Sequence, residues 1–140
     1  MPTRADALAA LPLFSGLSRQ DRELIASHMD ELRFAAGSTL ILEGYTNHSF
    51  YLLVDGEVEV DVAGEPRRTM RRGDFFGEIS MHHRIPATAT VVARTPVDVY
   101  VMSHEQFGAL SVSSDVAARL QAAMNQRLVE DRRGAPGGHA

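Results

Sequence analysis

The 140-residue chain contains no cysteine. That removes disulfides and thiolate metal sites together, and it fits a reducing compartment. No apolar stretch approaches the roughly 20 residues that a membrane-spanning helix needs. The start, Met1-Pro2-Thr3-Arg4-Ala5-Asp6, has an acid and no long apolar run after it, so it does not read as a secretory signal. A cytoplasmic protein with no membrane partner is the expectation. There is no basic surplus either. The formal net charge is −4, so no whole-chain field argues for nucleic acid. Internal repeats are absent, and no low-complexity segment lies outside the C-terminal tail. What remains, with 44% hydrophobic and 23% charged residues, is the composition of one folded domain.

The residues that are present change period twice. Residues 4 to 11 are Ala-rich, with Leu8 and Leu11 three apart, and suit a short helix stopped before Pro12. Ser18 has Asp21 three residues on, a variant of the helix-start pattern. Leu24, Ile25, His28 and Met29 then line one helical face. The first 30 residues are therefore expected to be helical, in two pieces around 12–17. After residue 30, Gly37, Gly44, Gly56, Gly64 and Gly73 set an all-β turn rhythm. Strands are expected at Thr39 to Leu42, Ser49 to Val54, Glu57 to Val62, Arg67 to Arg72, Thr88 to Arg94 and Val97 to Met102. In Glu57 to Val62, Val58, Val60 and Val62 should face a core while the three acids face water. Asp55-Gly56 reads as a tight hairpin turn. About eight short strands without intervening long helices point to a sandwich or jelly-roll barrel.

After Met102 the helical period returns. Ser103 to Gln106 fits a capping box, and Phe107 and Leu110 anchor a short helix. Ser113 or Ser114 with Asp115 starts a second one. Val112, Val116, Leu120, Met124 and Leu128 form one apolar stripe. That stripe either packs on its own domain or meets a second copy, giving a homodimer through residues 112–131. The expected layout is a single domain over 1–140: N-terminal helices over 1–30, a mainly β, eight-stranded antiparallel roll over 31–103, a helix pair over 104–133, and a disordered tail over 134–140.

One stretch, Gly73-Asp74-Phe75-Phe76-Gly77-Glu78-Ile79-Ser80, stands out, followed by Pro86-Ala87-Thr88-Ala89-Thr90-Val91. With the layout, it resembles the phosphate-binding cassette of the cyclic nucleotide-binding domain. That family includes the bacterial catabolite activator protein, the regulatory subunits of the cyclic-AMP-dependent kinase, and cyclic-nucleotide-gated channels. Residues 11–18 look like its N-terminal lead-in, residues 37–44 like its first hairpin, and residues 50–60 like its central strands. The resemblance covers roughly 11 to 130. It implies a regulatory module, here a stand-alone and bacterial-like one, that binds cAMP or cGMP and signals to an effector protein through movement of residues 104–131. It implies that Gly77 lets the backbone approach the ribose and that Glu78 accepts from the 2′-hydroxyl. A short helix near Glu78, Ile79 and Ser80 would aim N–H groups at the phosphate. Phe76, Thr88 and Ala89 would complete the site, with Val60, Val62 and Val91 as walls around the base.

The chain departs from that pattern at one residue. The family requires an arginine just before the position of Thr88, where a planar fork binds two phosphate oxygens. Counting back from Val91 lands on Ala87. Arg84, three residues earlier, is the nearest substitute cation. The expectation is weakened or altered binding of cAMP or cGMP; the alternative is a degenerate interaction or dimerisation domain with no nucleotide response. No catalytic arrangement can be defended from spacing, so the chain does not read as an enzyme. His82-His83 is not a metal motif, because adjacent side chains in a helical turn diverge. Arg67, Arg68, Arg71 and Arg72 read as a solvated ribbon. Only a short tail follows Arg133, so no DNA-reading helix is expected and no direct DNA binding.

Overall fold

A computed structural model of the chain describes residues 4–47, 49–77, 86–113 and 115–134, with the side chains of 4, 5, 113 and 127–134 left aside. It contains a sheet unit from Met29 to His104 and a helical unit built from the segments before and after it. The sheet unit has β1 Asp30–Phe34, β2 Thr39–Ile41, β3 Ser49–Asp55, β4 Val58–Val62, β5 Glu65–Met70, β6 Phe75–Gly77, β7 Thr90–Ala93 and β8 Val97–Ser103. They form two four-stranded sheets, in the orders β1-β8-β3-β6 and β2-β7-β4-β5. Every pairing is antiparallel. The fold is the expected β-roll.

Period-two patterning builds the core between the sheets. Val58, Val60, Val97 and Val99 are all buried to 1% exposure or less, and they join Leu53, Phe76 and Val91 in one apolar cluster. Val62, expected in that core, is only half-buried. Two of the three acids are ion-paired rather than simply wet: Glu59 meets Arg94 at 3.6 Å, and Glu57, just before the strand, meets Arg71 at 3.4 Å. Strands β3 and β8 are buried on both faces. Phe50, Leu52 and Met102 are fully buried on the side away from the apolar cluster.

Three sequence expectations change here. The N-terminal helical region stops at Ser27, and Asp30 already opens β1. That strand lies at a sheet edge and is mostly exposed, Leu32 included, so it carries no apolar alternation to reveal it. Residues 37–44 do not form a hairpin; β2 pairs instead with β7, fifty residues away in sequence. Asp55-Gly56 is not a hairpin turn either, because β3 and β4 lie in different sheets and the turn carries the chain across. Gly56 has φ 90°, and a Cβ there would collide with the Pro96 carbonyl.

The helical unit holds α1 Arg4–Ala9, a 3-10 turn Pro12–Phe14, α2 Arg19–Ser27, α3 His104–Ser113 and α4 Val116–Gly134. Ser18 caps α2 as its pattern predicts: its Oγ accepts from the Asp21 N–H at 3.1 Å. Asp21 itself receives a two-pronged ion pair from Arg119 of α4, with Nε–Oδ2 at 2.9 Å and the second nitrogen at 2.8 Å from Oδ1. The predicted stripe is split. Val116, Leu120 and Met124 are buried within the chain, whereas Val112 belongs to α3 and is 91% exposed. Gly134 ends α4 instead of opening a tail, and residues 135–140 lie outside those described.

Candidate ligand-binding site

The stretch that opens at Gly73 is fastened to β3 before it reaches the site. The Asp74 N–H donates to the Arg71 carbonyl and the Arg71 N–H to Asp74 Oδ2, both at 2.9 Å. Gly73 donates to the Leu53 carbonyl at 2.8 Å, and Leu53 donates back to the Asp74 carbonyl at 2.9 Å. Strand alternation then separates the two aromatics. Phe76 turns into the core and stacks on Tyr51, ring centres 5.1 Å apart at 8°. Phe75 takes the other face, 5.6 Å from Phe50. Burial pushes the Tyr51 hydroxyl above its ordinary pKa, and it donates to the Leu40 carbonyl at 3.4 Å.

Gly77 ends β6 in register with Phe50. Its φ is 96°, in the left-handed region. A Cβ there would collide with the Ser49 carbonyl and come within 3.2 Å of Asn47 Nδ2. The glycine is thus demanded by the strand pairing itself, whatever ligand approaches.

A second arm arrives from Pro86 to Ala89. Pro86 bridges to Thr46. The Ala87 N–H donates to the Tyr45 carbonyl, and the Gly44 N–H donates to the Ala87 carbonyl, both at 2.9 Å. Ala87 is therefore pinned on both backbone groups, and no slip of register can bring a different residue into its place without breaking both bonds. Thr88 is exposed and Ala89 is buried.

Between the two arms lies a cavity of about 300 Å³, at the small end of ligand-sized pockets. Its apolar wall comes from Ile41, Val60, Met70, Phe76 and Val91. Gly77, Pro86, Ala87 and Ala89 line it through small or rigid residues, and Asn47 and Thr88 are the polar side chains. Among the described residues that line it, none is charged. Phe76, Gly77, Ala87, Thr88 and Ala89 are thus brought together. Val60 and Val91 are wall residues as expected, while Val62 does not line the cavity. Glu78, Ile79, Ser80 and Arg84 lie outside the described residues, as do His82 and His83. Among the described residues no group of three His, Asp or Glu gathers as a metal ion would need. Sequence reasoning missed Asn47. Nothing near it in sequence marks it, because the β3–β6 pairing brings it to Gly77 from thirty positions away.

With this geometry in view, comparison with known proteins is decisive at the family level. Residues 31–114 match the cyclic nucleotide-binding domain. The chain belongs to that family. A regulatory subunit of cAMP-dependent protein kinase from Aspergillus fumigatus is 43% identical over 103 residues, 71% of this chain and 25% of the relative. The corresponding subunit from Aspergillus niger is 37% identical over 102 residues, with the same coverage of 71% and 25%. The chain therefore spans about a quarter of the length of these curated relatives. Among solved structures, the N-terminal domain of a transcriptional regulator from Streptomyces coelicolor superposes with a TM-score of 0.74 at 26% identity, covering 95% of this chain and 99% of that one. The Thermus thermophilus catabolite activator protein gives 0.73 at 24% identity, covering 87% and 60%. No helix among the described residues is long and apolar enough to cross a membrane.

Proposed function

We propose that this cyclic nucleotide-binding domain is a regulatory sensor, not an enzyme, whose cavity takes cAMP, cGMP or a related small molecule with weakened affinity. The observation that carries this reading is Ala87, pinned at the cavity wall where the family pattern asks for an arginine, with no charged side chain among the described lining residues. Phe76, Gly77, Thr88 and Ala89 supply the rest of the described site, and Glu78, Ile79 and Ser80 complete it from the sequence. The kinase regulatory subunits among the relatives support a signalling role, exerted on an effector protein through residues 104–131.

Magnitude decides what the missing cation does. A charge-assisted hydrogen bond contributes roughly 1.5–3 kcal/mol. At about 1.4 kcal/mol per decade, its loss weakens affinity at least ~10–100-fold. The negative charge of Glu78 also repels a phosphate unless a cation stands beside it. Calorimetric titration with cAMP and cGMP, for the protein as it stands and for Ala87→Arg, tests this. The expected outcome is weak binding by the first and a gain of at least ~10-fold in the second. Tight binding by the unmodified protein removes the role given to Ala87. The same residue favours a second reading, an interaction domain with no nucleotide response; that reading holds if Ala87→Arg also binds neither nucleotide.

A further inference from the structure

The two sheets end in four edge strands, β1 and β6 in one and β2 and β5 in the other. An edge strand turns every second N–H and C=O outward, where another chain can pair with them. Three of the four are poor templates. β2 and β6 are three residues long, and the register of β2 shifts within that span. β5 carries Pro66, which has no N–H to give, a register shift next to it, and Arg67 beside Arg68. β1 has none of these features. It runs five residues in unbroken register with β8, without proline or glycine. Asp30 to Arg33 are exposed, and Leu32 leaves 43% of its surface open at the edge. Glu31 has no ion pair among the described residues. Arg33 is 72% exposed, with one nitrogen 3.4 Å from Asp98.

The sequence of this strand, Asp30-Glu31-Leu32-Arg33-Phe34, is complementary to itself when run antiparallel. With Leu32 of one copy opposite Leu32 of another, Glu31 falls opposite Arg33, and Arg33 opposite Glu31, across a two-fold axis. Alternation puts both ion pairs on one face and both leucines on the other. We infer that β1 is a docking edge for a second copy of this chain, joining two β1-β8-β3-β6 sheets into one continuous antiparallel sheet. Charge complementarity selects that occupant and that register. Sliding the pair by two residues keeps the faces but sets Glu31 against Glu31 or Arg33 against Arg33, which is unfavourable. Asp98 does not compete for the cation, because a guanidinium carries five N–H donors and can hold both carboxylates. The outermost pairs, Asp30 with Phe34, add backbone bonding without a charge match. The inference concerns the sheet edge and holds whatever the cavity binds.

The test is sedimentation equilibrium of the full chain over a concentration series, with Glu31→Arg, with Arg33→Glu, and with an equimolar mixture of the two variants. The native chain should show a monomer–dimer equilibrium. Either substitution sets like charges opposite each other at both pairs and should weaken the dimer at least ~10-fold. In the mixture, one variant carries two acids where the other carries two bases, so dimer should return as a heterodimer. Its return also shows that both variants are folded. A native chain that stays monomeric at every concentration overturns the inference and leaves the edge to a strand of another protein. A native dimer that both variants retain overturns it too, because the contact then lies elsewhere. So does a mixture that associates no better than its components.

Discussion

Gly77 and Gly64 make a controlled pair at the scale of single residues. Both have positive φ, 96° and 81°. Around Gly64 there is open space, whereas a Cβ on Gly77 meets the Ser49 carbonyl, backbone that cannot swing aside. Gly64→Ala should cost only left-handed strain, about 1–2 kcal/mol. Gly77→Ala adds the collision and must open the β3–β6 pairing, so urea denaturation should show a loss at least ~1 kcal/mol larger. Equal losses would mean that Ser49 does not constrain Gly77. The sequence singles out Gly77 and Ala87 because both fall inside a recognisable motif, and both line the cavity. It attributes the glycine to ligand approach, and the sharper constraint comes from a strand twenty-eight residues upstream. Asn47 was invisible for the same reason: loops carry no period, and its neighbour in space is distant in the chain.

Elements are held together by interactions whose pH dependence can be worked out. The Arg119 guanidinium, hydrogen-bonded to Asp21 between α2 and α4, holds that carboxyl below its ordinary pKa. A group with a lowered folded pKa contributes stability above its unfolded pKa, about 4 for Asp, and loses it as pH falls through the folded value. Thermal midpoints of Asp21→Asn should therefore lie below those of the native chain at neutral pH. The gap should close below about pH 4, at acidities where the native carboxylate is also protonated. A gap that persists unchanged in acid would mean the ion pair contributes nothing. High salt should narrow the gap only partly, since Asp21 is 13% exposed in its side chain while Arg119 is 49% exposed. Legibility at this scale tracks patterning. The Ser18 cap and, apart from Val62, the alternation of β4 were read correctly. The exposed edge strand β1 and the three-residue β6 had no periodic signal long enough to read.

For the whole molecule, the stripe on α4 decides between packing and partnership. Leu120 is fully buried within this chain. Leu120→Ala should cost about 2–5 kcal/mol of folding stability at any protein concentration. A concentration-dependent loss, with light scattering showing a dimer that the variant dissociates, would instead assign the stripe to a second copy. The order helices, roll, helices was legible because each change of period is long. The division of strands between two sheets was not, because both hairpin assignments assumed that neighbours in sequence pair. The outermost pairing of the roll has a mechanical consequence. Asp30 lies opposite Val101 and Phe34 opposite Val97, so the chain arrives at and departs from the sheet unit at the same end of one antiparallel strand pair. Tension applied between Met29 and His104 would load the β1–β8 hydrogen bonds one after another, not all at once. The sheet unit is a zipper along that seam. In a force-extension measurement it should yield first by peeling β1 from β8, at low force, while the apolar cluster between the sheets remains closed.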